Sequence, residues 1–281
     1  MFRKLLLPVA FSFIASLVFA QDDQNKFDAS RYWAVGIQMW TFNTSTFYTA
    51  LKKADSCNIK YIEAYPGQVL KDGSPSVFGP SMTPDERKEL KEYLKKKHFI
   101  ITSLGVIVAN SVNEWKSYFD FAADMGIHVM VAEPDKSQLS DVNRLAGTYN
   151  IKVALHDHPF PAPYWHPDSA MAAIKNRSNI GICADIGHWA RNGLNVVDCL
   201  KKCKDKMFEL HFKDVKEFAR AQAPDVLLGE GVCDIPSVLA ELKRQNFVGL
   251  FVIEYEENPD NNVKDIKQYV KYYNDQLKKL K

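Results

Sequence analysis

Eight short β-rich runs, separated mostly by amphipathic helical stretches, are the feature that most limits how this chain of 281 residues can fold. The runs are largely continuous in apolar character, as parallel strands buried on both faces are. The predicted strands are Ala34–Trp40, Lys60–Ala64, Phe99–Val106, His128–Ala132, Lys152–His156, Ile180–Asp185, Met207–Phe212 and Leu250–Tyr255. The predicted helices include Pro84–Lys97, Val112–Met125, Leu139–Tyr149, Val196–Lys204, Ile235–Gln245 and Val263–Leu280.

Eight strands alternating with helices predict a closed (β/α)8 barrel, a TIM barrel, over a single domain. A doubly wound open sheet has a similar element count. Polar residues end almost every strand, and only a closed ring brings all those ends to one pocket. No glycine-rich phosphate or dinucleotide loop follows a strand, which also favours the barrel. The long loops at 66–82 and 216–229 follow strand ends and are predicted to form rims or lids over the pocket.

Residues 1–20 resemble a signal peptide. Arg3 and Lys4 precede an apolar run from Leu5 to Phe19, and Ala20 completes a small-residue cleavage pattern. The run is shorter than the ~20 residues a membrane span needs. We therefore expect residues 21–281 to be the barrel domain of an exported protein, periplasmic or secreted, with no membrane contact after cleavage.

The charge of the chain excludes a general affinity for nucleic acid. The formal net charge is +2, and removing Arg3 and Lys4 brings it to zero. A neutral protein lacks the basic footprint that phosphate backbones require.

Six predicted strand ends carry a group that can bind a metal. One such residue is ordinary, but a ring of carboxylates would repel one another and resist ionising together. A divalent cation at the centre removes that penalty, and carboxylates with imidazoles suit Mn²⁺, Zn²⁺, Co²⁺ or Mg²⁺. The six residues are Glu63, Glu133, His156, Asp185, His211 and Glu254.

The chain resembles the xylose isomerase-like barrels of the sugar phosphate isomerase/epimerase superfamily over essentially the whole of residues 21–281. The resemblance rests on Asp185 and His188 as Asp-x-x-His, on His211-x-Lys213-Asp214, on Glu254 and on the loop Gly229–Gly231. It implies one metal ion held by residues from strands five to eight. By resemblance, Asp185, His211 and Glu254 are ligands.

The fifth strand departs from that pattern. Where the family usually has Glu-Asn-His, this chain has His156-Asp157-His158. We expect Glu133, at the end of the adjacent strand, to supply the missing carboxylate, with His156 beside the metal. The alternative is that His156 binds the metal directly, which gives a site with two imidazoles.

The resemblance implies proton transfer next to the carbonyl of a sugar, with the metal as Lewis acid. His156, His158, His188 and Lys213 are the candidate catalytic or substrate-contacting residues. A histidine in place of one family glutamate favours elimination or hydration of a keto-sugar or keto-glycoside over simple epimerisation.

The predicted substrate is a small, non-phosphorylated sugar, because no cluster of Arg and Lys resembles a phosphate clamp. Aromatic faces near strand ends could stack on a pyranose ring. The candidate substrate-binding residues are Glu63, Trp40, Trp165, Trp189 and Glu230.

Two other functions fit the same fold. A non-catalytic sugar-binding barrel would have the pocket without a metal. A nuclease of the endonuclease type would need further histidines at the second and third strand ends, where the chain has Glu63 and Gly105-Val106. The near-neutral charge also argues against a nuclease.

Overall fold

A computed structural model describes residues 28–280 of the chain. Eight parallel strands close into a barrel in which β1 pairs with both β2 and β8. The strands are β1 Trp33–Gln38, β2 Tyr61–Ala64, β3 Ile100–Ile107, β4 Val129–Ala132, β5 Lys152–Leu155, β6 Ile180–Asp185, β7 Met207–Phe212 and β8 Gly249–Ile253. The predicted closed barrel is confirmed, and the open sheet is wrong because the first and last strands are hydrogen-bonded to each other.

The helices surround this barrel. The longer ones are Phe47–Ser56, Pro84–Lys97, Val112–Met125, Leu139–Tyr149, Pro167–Ile174, Val196–Lys202, Ile235–Arg244 and Val263–Lys279. Short helical turns are Ala29–Tyr32, Met39–Phe42, Lys136–Gln138 and Ile186–Arg191. All six predicted helices are present. Helices Phe47–Ser56 and Pro167–Ile174 were not among those predicted.

Local sequence explains where a representative helix begins and ends. Thr83 accepts a hydrogen bond from the backbone of Glu86, and the Glu86 side chain accepts one from the backbone of Thr83. This capping box, with Pro84 in the first turn, begins the helix Pro84–Lys97. His98 adopts the left-handed conformation, φ 59°, and ends it.

Both long loops contribute to the cavity at the carboxyl ends of the strands, the first through Pro66 and the second through residues 221–224. In the first, Phe78 is fully buried, stacked on Phe47 and edge-on to Phe121, which anchors the loop to the helical layer. In the second, Asp214–Val215 pairs with Asp225–Val226 as a short antiparallel ribbon. We call residues 214–226 the ribbon segment.

The predicted signal peptide, residues 1–20, lies outside the described residues. Within residues 28–280, no helix is long and apolar enough to cross a membrane.

Candidate metal centre and active site

Four side chains from adjacent strand ends converge at the mouth of the barrel. His156 follows β5, Asp185 ends β6, His211 lies in β7 and Glu254 follows β8. Each offers one nitrogen or oxygen, and these four atoms all lie within 4.8 Å of one another. All four residues are buried. We call this set the four-residue cluster.

The contacts inside the cluster are direct. His211 Nδ1 lies 3.2 Å from His156 Nε2 and 3.1 Å from Glu254 Oε2. Asp185 Oδ2 lies 3.6 Å from His211 Nδ1 and 3.7 Å from His156 Nε2. Four ligand atoms therefore face one small volume.

Asp185 provides the test of whether a cation fits this volume. Its Oδ1 caps the following helix by accepting the backbone N–H of His188 at 2.9 Å. Its Oδ2 is buried and accepts no hydrogen bond of good geometry, although Lys213 Nζ lies 3.0 Å away. A buried carboxylate oxygen without a hydrogen bond is costly. Two imidazole nitrogens and two carboxylate oxygens form a donor set that suits Zn²⁺, Mn²⁺ or Co²⁺.

The pKa values of these groups show that the site favours positive charge. Burial lowers the pKa of His156, but hydrogen bonds with Asp185 and Glu133 outweigh it and raise that pKa to about 9. Burial also lowers the pKa of His211. The negative charges of Glu63 and Glu254 outweigh burial and bring this pKa well above its ordinary value. Protons on these imidazoles balance the carboxylates when no cation does so.

Three further carboxylates form hydrogen bonds that orient residues of the cluster. Glu63 Oε2 lies 2.6 Å from His211 Nε2, and Glu133 Oε1 lies 3.2 Å from His156 Nδ1. Asp157 Oδ1 accepts the backbone N–H of Asp185 at 2.7 Å. Such partners fix the ring orientation and tautomer of metal-binding histidines.

Glu133 and Glu63 lie in positions that differ from those expected of a metal ligand and a substrate-binding residue. Glu133 lies outside the four-residue cluster, and His156 takes the position that we expected Glu133 to fill. Glu63, predicted to bind substrate, is fully buried beneath His211 and is not among the residues that line the cavity.

Lys213, predicted to be a catalytic or substrate-contacting residue, lies among the carboxylates of the cluster. It is fully buried, and its Nζ lies 2.7 Å from Glu254 Oε2 and 3.0 Å from Glu256 Oε1. Gly187 makes room for it, because a Cβ there would lie 2.4 Å from Lys213 Cγ. Lys213 therefore holds the carboxylates of the cluster in place, and it is not among the residues that line the cavity.

Asp214 explains the glycine loop that follows the ribbon segment. Its carboxylate accepts backbone N–H groups from Gly229, Gly231 and Cys233. A Cβ at Gly231 would lie 2.2 Å from Asp214 Oδ1. Glu230, predicted to bind substrate, is exposed and is not among the residues that line the cavity.

A cavity of about 720 Å³ lies directly above the cluster. Its wall includes Glu254 and the two further histidines His158 and His188. His158 is half-exposed, and its Nδ1 lies 2.5 Å from Glu133 Oε1. His188 is almost buried, and burial holds its pKa well below the ordinary value, so it is neutral.

The three tryptophans predicted to contact substrate have different positions. Trp40 is 42% exposed, lines the cavity and packs edge-on against Tyr65. Trp165 packs against Phe160 and does not line this cavity. Trp189 is 1% exposed within the hydrophobic core, which corrects its predicted role.

Sequence reasoning missed three residues of the site: Arg191, Glu256 and Asp157. Arg191 and Glu256 line the cavity, and Asp157 supports Asp185. Arg191 lies three residues after His188 on one helix, a spacing that makes neighbours. That spacing was the signal that could have identified it.

Two proteins with related sequences are an inosose isomerase and an inosose dehydratase. The chain is 24% identical to an inosose isomerase of Halalkalibacterium halodurans over 59% of its length and 70% of the relative. It is 24% identical to an inosose dehydratase of Bacillus licheniformis over 43% of its length and 46% of that relative. The match with the dehydratase thus spans less than half of either protein.

Solved structures share the whole barrel. A protein from Parabacteroides distasonis, described as putative and uncharacterized, superposes with a TM-score of 0.71 and 31% identity, covering 86% of this chain and 98% of its own. Residues 51–275 match the profile of a family described as xylose isomerase-like TIM barrel. The chain therefore belongs to the xylose isomerase-like TIM barrel family.

Proposed function

We propose that this protein is an exported, divalent-metal-dependent enzyme that removes a proton next to the carbonyl of a non-phosphorylated keto-sugar or keto-polyol. The convergence of His156, Asp185, His211 and Glu254 within 4.8 Å is the observation that carries the proposal. The isomerase and dehydratase named above support it, because an inosose is a non-phosphorylated keto-polyol.

In this proposal the four-residue cluster holds one cation. When bound, the cation supplies Lewis-acid polarisation of a substrate oxygen. The carboxylates behind the cluster keep the two imidazoles oriented, and Lys213 offsets part of the negative charge around Glu254.

His158 is the group best placed to move the proton. Its Nδ1 is held by Glu133, which leaves Nε2 as the free ring nitrogen on a residue that lines the cavity. A histidine oriented by a carboxylate is a common acid–base pair. Glu133 therefore acts through His158 and touches no substrate.

The same arrangement supports elimination. After the proton next to the carbonyl has left, the electron pair forms a carbon–carbon double bond as the β-carbon–oxygen bond breaks. The departing oxygen then takes a proton from His158 or from solvent. Simple epimerases of this family use two glutamates on opposite faces of the substrate, and this chain has His156 at one of those positions.

The cavity favours an uncharged substrate. Its wall includes Glu254, Glu256 and Glu257, which repel phosphate. Its one arginine, Arg191, is already bound by protein atoms through Nε and both terminal nitrogens. Trp40 and Tyr65 at the rim provide aromatic faces for a sugar ring.

Proton exchange with solvent tests the reaction class. Residues 21–281, loaded with Mn²⁺ or Zn²⁺, are incubated in D2O with ketoses, inososes and 3-keto-glycosides, and products are followed by NMR. The proposal predicts deuterium next to the carbonyl, or an unsaturated product, in at least one compound class. Binding of a sugar without exchange or elimination would instead support a non-catalytic sugar-binding barrel.

The export part of the proposal rests on residues 1–20. Expression of the full chain in a Gram-negative host, followed by N-terminal sequencing, should give a mature protein that begins at Gln21. An intact Met1 on cytoplasmic protein would contradict it.

A further inference from the structure

All three nitrogens of the Arg191 guanidinium group contact other protein groups at the edge of the active site. Its Nη1 lies 3.1 Å from Nδ1 of His188, its Nη2 donates to Asp225 Oδ1 at 2.7 Å, and its Nε donates to the carbonyl of Ala223 at 3.0 Å. Its side chain is 9% exposed. Arg191 therefore connects His188 to the ribbon segment.

The chemistry of the guanidinium decides the state of His188. Arginine carries only donors and keeps its proton in proteins. The Nδ1 atom of His188 must therefore accept, and the ring proton of the neutral imidazole must lie on Nε2. That nitrogen lies 3.7 Å from Asp185 Oδ2, on the side of the four-residue cluster.

We infer that Arg191 is a positioning residue that locks His188 as the Nε2–H tautomer, so that His188 can only donate a hydrogen bond to a substrate oxygen. His188 then stabilises negative charge as it develops on that oxygen. It does not remove the proton, which separates its role from that of His158. The effect on rate rests on the proposed function, whereas the tautomer does not.

The same contacts couple the tautomer to the ribbon segment. Asp225 Oδ2 accepts the backbone N–H of Glu256, and Glu256 binds Lys213 beside the cluster. Arg191 contacts both His188 and Asp225 in this arrangement, in which the ribbon segment forms part of the cavity wall. His188 is therefore held as a hydrogen-bond donor in the arrangement in which the ribbon segment contacts Arg191.

Nitrogen-15 NMR of histidine-labelled protein, with and without Zn²⁺, reads the tautomer without any turnover. We expect His188 in the wild type to be neutral and protonated on Nε2. In Arg191→Met, which keeps the aliphatic stem, a second population protonated on Nδ1 should appear. Arg220→Met is the matched control, since Arg220 lies in the ribbon segment and its side chain binds, among residues 28–280, only Glu217 at the surface.

Kinetics with the substrate found by deuterium exchange give the second result. Arg191→Met should lower kcat by roughly 10- to 100-fold, the usual effect of losing an orienting partner, with a smaller change in KM. Arg220→Met should match the wild type. A wild-type His188 protonated on Nδ1, or on both nitrogens, would overturn the inference even if Arg191→Met failed to fold. An unchanged tautomer in a folded Arg191→Met would overturn it as well.

Discussion

Glu63 Oε2 lies 2.6 Å from Nε2 of His211, with both side chains fully buried. The carboxylate accepts the Nε2 proton, so Nδ1 is left to face Glu254 and the centre of the four-residue cluster. A residue from β2 thereby fixes which nitrogen of a β7 histidine can bind a metal.

Glu63→Gln should weaken metal binding while the barrel stays folded. Gln can still form a hydrogen bond with His211 but supplies no negative charge to polarise the ring. We expect a loss of roughly 10- to 100-fold in Zn²⁺ affinity, as for other partners of metal-bound histidines. Competition with a zinc chelator measures it. Unchanged affinity would show that Glu63 has no role in the site.

His156 is the residue by which this chain departs from its family, and two variants test its role as a ligand. His156→Ala should lose bound metal. His156→Glu should retain metal and shift its preference from Zn²⁺ towards Mn²⁺ or Mg²⁺, because carboxylates suit harder ions.

Metal content after equilibration with a mixture of these ions measures both effects. The surface variant His98→Asn is the control, since Asn tolerates the left-handed conformation at that position. Full metal content in His156→Ala would contradict His156 as a ligand and would support Glu133 as the fourth ligand.

His158 should be needed for turnover and not for metal binding. His158→Gln removes the acid–base group on the cavity wall, and we expect the rate to fall by roughly 10²- to 10⁴-fold. Glu133→Gln should give a smaller fall in rate, because it removes only the group that orients His158 and His156. Steady-state kinetics on metal-loaded protein measure both. A His158→Gln variant with wild-type rates would assign the proton transfer to another group.

Glu209 gives a prediction for stability. It is buried in the barrel, accepts a hydrogen bond from Ser103 at 2.6 Å, and its pKa is raised to about 8 by burial and by the charge of Glu63. A raised carboxyl pKa means that the folded state binds the proton more tightly than the unfolded state. The stability that this proton provides is fully present below about pH 4.5 and is lost as pH rises through about 8.

Metal-free wild-type protein should therefore lose stability from pH 5 to pH 8, at up to about 1.4 kcal/mol per unit. Glu209→Gln, which stays neutral, should show a weaker loss and be the more stable protein at pH 8. Urea denaturation in the presence of a chelator measures this difference. Parallel pH profiles for the two proteins would contradict the buried, protonated state of Glu209.

The sequence was sufficient to predict the barrel, because continuous apolar runs and helix caps are local signals. Helix Pro84–Lys97 has its predicted bounds, and β6 and β7 match as well. Helix Pro167–Ile174 was missed: it has eight residues and follows a proline-rich loop. Periodicity is weak over so short a length.

The roles of individual site residues depended on distances that the sequence does not contain. In the register of β4 and β5, Ala132 pairs with Leu155, so Glu133 and His156 lie side by side just after their strands. Which of them reaches the centre depends on side-chain direction. The position of Trp189 also depends on side-chain direction, because its helix places the indole in the core.

Glu209 was predictable and was missed. It lies two residues before His211 on β7, so both side chains point to the same face of the strand. If His211 faces the interior, Glu209 does too.

Anomalous X-ray scattering from crystals grown with Zn²⁺ or Mn²⁺ tests directly whether the four-residue cluster binds a metal ion. We expect a single strong peak about 2.0–2.3 Å from atoms of His156, Asp185, His211 and Glu254, and no such peak in crystals of Asp185→Ala. A peak coordinated by Glu133 instead of His156 would contradict the ligand set. No peak at the cluster under saturating metal would contradict the proposed metal centre and the metal-dependent function together.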